Sequence, residues 1–197
     1  MRTRPILLIA LCMTLSGCMM VREGNLKPPV QWPLQVGSQG KKSLSLNVVS
    51  PSQSPQRPVS SATLEQYRDA AIKVYAESGV FSSVTAGAGS LSDVNADISV
   101  IEDDGGNSSF LPAFFSILTF TIIPGYVSEN LEVRTVYRDR AQKVLGMFEK
   151  HERTKHWVEF FLLFAMPFID GPEAVTTSVL SDLHRSTIDE AHGKGLF

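Results

Sequence analysis

Three apolar runs decide what this chain can become, because each stops before it is long enough to cross a bilayer, which takes about 20 apolar residues in a helix. The first, Ile6 to Leu15, has ten residues. The second, "FLPAFFSILTFTIIPGYV" (110–127), lies in a stretch with no charged residue from Gly105 to Ser128, yet Pro112 and Pro124 bracket only 11 residues. The third, "WVEFFLLFAMPFI" (157–169), holds one charge, Glu159, and Pro167 closes it after ten residues. Proline removes a backbone donor and breaks a helix. The second and third runs are therefore either central strands and core connections or a contiguous surface that meets a membrane or a partner. The sequence leaves both readings open. In the contact reading the residues that meet bilayer or partner are Phe110, Phe114, Phe115, Leu118 and Phe120.

The first run has different flanks. Arg2 and Arg4 precede it, and the small residues Ser16 and Gly17 stand between it and Cys18. That is the layout of a secretory signal peptide over 1–17. Leu15-Ser16-Gly17-Cys18 also resembles the lipobox of bacterial lipoprotein precursors, matching at all four positions. The resemblance implies a diacylglycerol thioether on Cys18, cleavage after Gly17 and a third acyl chain on the new α-amine. The chemistry needs a nucleophilic sulfur, with small residues before it to admit the peptidase. Cys12 follows Leu11 and fails the second condition. Two or three acyl chains meet the two-signal requirement for stable anchoring, so membrane lipid is an expected partner through Cys18. In such lipoproteins an Asp after the lipidated Cys commonly retains the protein at the inner membrane. Met19 occupies that place, which implies the outer membrane, periplasmic face.

Removing 1–17 takes Arg2 and Arg4 away and leaves 16 Lys and Arg against 20 Asp and Glu, a net charge of −4. No basic field remains to hold nucleic acid by its phosphates. The one remaining cysteine is the acylated one, so no disulfide or cysteine-ligated zinc is expected. Stability must come from a core.

Residues 18–43 read as the lipidated N-terminus and an extended tether, rich in Pro and Gly and without periodicity. Residues 44–197 follow as a single domain. Leu44, Leu46 and Val48 alternate with polar residues, a half-buried strand. A Pro/Ser loop occupies 50–61. Thr63 to Gln66 fits a capping box for a helix over about 64–78, with Leu64, Tyr67, Ala71, Val74 and Tyr75 on one face and Gly79 as terminator. Val94 to Val100 alternates as a strand. The acidic turn at Glu102, Asp103 and Asp104 lacks the ligand spacing of a calcium loop. Leu131–Tyr137 and Val144–Phe148 form a strand pair about "RDRAQ". Pro172 and Glu173 open a second amphipathic helix over 172–192, striped by Val175, Val179, Leu183, Thr187 and Ala191.

This order predicts an α+β fold, a mostly antiparallel sheet with two amphipathic helices packed on one face. In coarse topology over 44–192 it is similar to small envelope lipoproteins of the lipopolysaccharide-assembly type and to the N-terminal domain of the translocation protein TolB.

No catalytic or cofactor motif appears. His151 and His156 are five apart, a spacing that presents opposite faces of a strand and suits no zinc site. Ser181, Asp182 and His184 are close in sequence, but there is no nucleophile elbow, and a solvated helix face accounts for them. The expectation is a non-catalytic envelope lipoprotein without cofactor or metal, acting with an envelope protein partner. A periplasmic inhibitor or immunity lipoprotein is the alternative, and an envelope hydrolase using Ser181 and His184 ranks third.

Overall fold

Alternating apolar residues at 44, 46 and 48 and at 94, 96 and 98 pair directly across two neighbouring strands, and that match sets the centre of the sheet. The computed structural model describes residues 17–36, 40–49, 61–87, 91–103, 119, 125–159, 162 and 166–197. The expected contact residues Phe110, Phe114, Phe115, Leu118 and Phe120 lie outside them. The elements are β1 (Gly17–Arg22), β2 (Ser43–Val49), α1 (Ser61–Glu77), β3 (Ser83–Ala86), β4 (Val94–Asp103), β5 (Gly125–Asp139), β6 (Val144–Glu159), a short 3-10 turn (Met166–Phe168) and α2 (Pro172–Gly193). The six strands form one mixed sheet in the order β1-β6-β5-β4-β2-β3, so the fold is α+β. Two compact units divide the chain: residues 1–23, 104–130 and 153–176 belong to one, and 24–103, 131–152 and 177–197 to the other.

In the second unit β2 lies between β3 and β4 and runs parallel to both. Leu44 faces Val94, Leu46 faces Ala96 and Val48 faces Ile98. Parallel neighbours need a long crossover, which α1 supplies between β2 and β3. Being an interior strand, β2 also buries Ser45, whose hydroxyl donates to the Gly87 carbonyl. The hairpin of β5 and β6 turns where expected: Asp139 N–H donates to the Lys143 carbonyl (2.9 Å), and the Asp139 carboxylate accepts from Lys143 N–H (2.9 Å). β6 runs further than expected and takes in the charged stretch after Phe148.

α1 starts at Ser61, so Thr63 sits in its first turn rather than capping it. Tyr67, Ala71, Val74 and Tyr75 are buried as the spacing requires, and Gly79 ends the helix in the left-handed region at φ +77. α2 ends in a Schellman motif, with Gly195 N–H to the His192 carbonyl (2.8 Å) and Leu196 N–H to the Ala191 carbonyl (3.2 Å). Tyr75 of α1 reaches Tyr137 on β5 and His184 on α2, which puts both helices against the same face. Each large aliphatic side chain buried here contributes about 1.5–3 kcal/mol.

Two expectations need correction. Residues 24–36, expected as part of an extended tether, are held by hydrogen bonds and a ring contact. Asn25 and Leu26 N–H donate to the Glu152 carboxylate (3.2 and 2.9 Å), Leu34 N–H to the Ser78 carbonyl (3.0 Å), and the Trp32 ring lies under the Arg185 guanidinium at 5.6 Å. The segment is extended but bound, because it supplies hydrogen bonds to a carboxylate that has no exposure. Nor is His184 on a solvated face. It is wholly buried, and Asp182 is nearly so, because α2 buries Leu180, His184 and Ile188 beside the expected stripe.

Candidate anchor site

β1 begins inside the lipobox, at Gly17, so Cys18 is followed directly by strand residues. Cys18 is paired with Val158, Met19 with Trp157, Met20 with His156 and Val21 with Lys155, antiparallel on the edge of β6. Met20 is buried, and Thr176 Oγ1 donates to its sulfur at 3.5 Å. Glu23 extends the pairing through its N–H to the Arg153 carbonyl (2.9 Å).

Beyond β6, β5 brings the end of the second apolar run to the start of the third. The rings of Tyr126 and Trp157 lie 5.2 Å apart, tilted by 38°. Three features that are far apart in sequence, the lipobox cysteine and the ends of two apolar runs, thus meet in one unit. Strand alternation puts Met19 and Val21 of β1 on the face that carries Trp157, and both Val21 and Tyr126 are exposed. Phe168, in the 3-10 turn that approaches β1, is 87% exposed.

Charge surrounds these side chains. Lys155 pairs with Glu23 at 2.7 Å and lies 5.9 Å from the Tyr126 ring centre, while Arg153 Nε donates to Asn130 Oδ1 at 3.0 Å. His156 Nε2 stands 2.9 Å from the Glu129 carboxylate, which raises the imidazole pKa above its usual 6.5 against the opposing effect of partial burial. Paired charges thus border the exposed Val21 and Tyr126 side chains.

The hydrolase arrangement is not assembled. Ser181 Oγ donates to the Thr177 carbonyl at 2.8 Å, one turn back on its own helix, and Asp182 pairs with Arg185 at 3.4 Å. Neither ring nitrogen of His184 has a hydrogen-bond partner among the described residues, and burial lowers its pKa to about 4. It packs edge-on to Tyr75 at 5.8 Å. The Tyr75 and Tyr137 hydroxyls satisfy each other at 2.8 Å, and burial pushes Tyr75 up to about 12 and Tyr137 well above 10. With no exposed member, Tyr75, Tyr137 and His184 form core rather than a reaction centre. Among the described residues no group of His, Cys, Asp or Glu is placed to hold a metal ion, and no helix is long and apolar enough to cross a membrane.

Sequence reasoning singled out Cys18 and both apolar runs but not their meeting place. Trp157 carried the only advance signal, as a large aromatic at the boundary of an apolar run and a charged stretch.

No family model and no curated protein matches the chain. Among solved structures it is similar to a Xanthomonas campestris protein of family DUF330, with 14% identity, 87% of this chain and 90% of that one covered, and a TM-score of 0.44. It is also similar to a PelC dodecamer from Paraburkholderia phytofirmans, with 10% identity, 86% and 96% covered and a TM-score of 0.36. Likeness at these values specifies neither family nor function.

Proposed function

We propose that this chain is a non-catalytic lipoprotein, held by acylated Cys18 at the periplasmic face of the outer membrane, where it binds an envelope protein or supports envelope assembly. The observation that carries this reading is the unbroken lipobox, Leu15-Ser16-Gly17-Cys18, behind a positive and apolar leader. Ser181 Oγ donates to the Thr177 carbonyl while His184 is wholly buried, which supports a binding role over hydrolysis, since a hydrolase nucleophile must reach its base.

Labelling with radioactive palmitate in a bacterial host tests the anchor. Cys18→Ser is expected to abolish the label and Cys12→Ser to leave it intact. Label that persists on Cys18→Ser overturns the reading. Fractionation tests the address: the lipidated protein is expected with the outer membrane, and Met19→Asp with the inner one. Recovery of the unaltered protein wholly in the inner membrane overturns the outer-membrane assignment and leaves the lipidation standing.

A further inference from the structure

We infer that the face of β1, β6 and β5 bearing Val21, Tyr126 and Trp157 rests in the headgroup layer of the bilayer that holds the acyl chains of Cys18. The inference rests on the anchor reading above and adds a second, non-covalent membrane contact to it.

The argument is one of reach. Strand partners stand about 5 Å apart and each residue advances about 3.3 Å. Trp157 faces Met19, one rung from Cys18, so its backbone lies within about 6 Å of the anchored residue. A headgroup layer is about 5–8 Å deep on each side of the hydrocarbon. Chains fixed at Cys18 therefore leave no room to hold Trp157 clear of the surface, because Met19 is already strand and no flexible linker intervenes. The side chains fit that depth. Tryptophan and tyrosine favour the membrane interface, where the ring is apolar and its polar edge stays wet. Val21 and Tyr126 are exposed, and Phe168 stands out from the turn that approaches β1. Lys155 and Arg153 flank the aromatic pair with long stems and charged ends that reach the phosphate level.

A domain on a free tether would behave differently. Its aromatic residues would stay in water whatever the fate of Cys18.

The test uses the lipidated full-length protein in vesicles of phosphatidylethanolamine and phosphatidylglycerol, with and without lipid brominated at the 6,7-positions of one chain. Tryptophan emission is expected to be blue-shifted and quenched by the brominated lipid, and Trp157→Phe is expected to remove that quenched component. If Trp157→Phe fails to fold, Trp32→Phe isolates the Trp157 emission, which is then expected to be quenched by at least about half. Protein that carries palmitate and floats with the vesicles, but whose Trp157 emission is unquenched, overturns the inference and leaves the anchor reading intact. Protein that neither carries palmitate nor floats overturns both.

Discussion

Two buried polar side chains, His184 and Glu152, have opposite consequences. Among the described residues His184 has no hydrogen-bond partner at either nitrogen, so replacing it with an apolar residue of similar volume leaves none of them unsatisfied. His184→Leu is expected to shift stability by less than about 1.5 kcal/mol, as volume-conserving core changes do. The larger effect is on acid sensitivity. A histidine whose pKa falls from 6.5 unfolded to about 4 folded binds protons more readily when unfolded. Its contribution is present above pH 6.5 and is lost as pH falls toward 4, about 3 kcal/mol in all. Denaturant titrations at pH 7 and pH 4.5 are expected to show a smaller acid loss in His184→Leu than in the native chain. His156 acts the other way: its raised pKa gives stability that is present at low pH and lost as pH rises through the folded value. Glu152 is different because it accepts two backbone N–H groups from Asn25 and Leu26. Glu152→Ala is expected to leave those donors unmet and to cost about 1–3 kcal/mol for each that stays buried, read from the urea midpoint.

At the scale of elements, the end of α1 shows how one backbone position ties a helix to a distant segment. Gly79 has φ +77, and a Cβ there would stand 3.0 Å from the Leu34 carbonyl oxygen. Gly79→Ala combines a left-handed penalty of about 1–2 kcal/mol with a contact that pushes on residues 33–34. The expected result is a fall in melting temperature together with faster proteolysis between Leu26 and Val36. An equivalent substitution at Gly171, where a Cβ meets nothing, is expected to leave both unchanged. Most elements were legible before folding: the Leu44–Val48 and Val94–Val100 alternations, the spacing of Tyr67, Ala71, Val74 and Tyr75, and the opening Pro172-Glu173. β3 was missed because four residues are too few to set a period, and three of them are exposed or nearly so. β1 was missed because Met19, Met20 and Val21 read as the lipidated N-terminus and the start of the tether. Only a partner strand makes them a strand.

At the scale of the molecule, the binding of residues 24–36 changes what counts as the folded protein. A chain that starts at Gly40 loses both donors to Glu152 and the Leu34 to Ser78 bond, together with β1. It is expected to be at least about 3 kcal/mol less stable than one that starts at Cys18, since hydrogen bonds to charged groups contribute about 1.5–3 kcal/mol each. Comparing urea midpoints of the two, both carrying Cys18→Ser where the residue is present, checks this. Equal midpoints would return residues 24–36 to the status of a free tether.

Sequence alone determined which segments are apolar and with what period, and therefore the number and kind of the main elements and the α+β class. It also marked Cys18 as the expected lipidation site, because a lipobox is a motif of four consecutive residues and needs no fold to be read. Period-2 alternation says which face of a strand is buried but not which strand lies beside it, so the parallel placement of β2 between β3 and β4 came only from the assembled sheet. His184 stands four residues from Leu180 and from Ile188, a spacing that fits a buried stripe, yet its burial depends on α1 bringing Tyr75 against it. The meeting of Cys18, Tyr126 and Trp157 was decided in the same way. It arises from the pairing of Cys18 with Val158, 140 positions apart, and from the ring contact of Tyr126 with Trp157, 31 apart, and pairing energy across such distances exists only once the chain has folded.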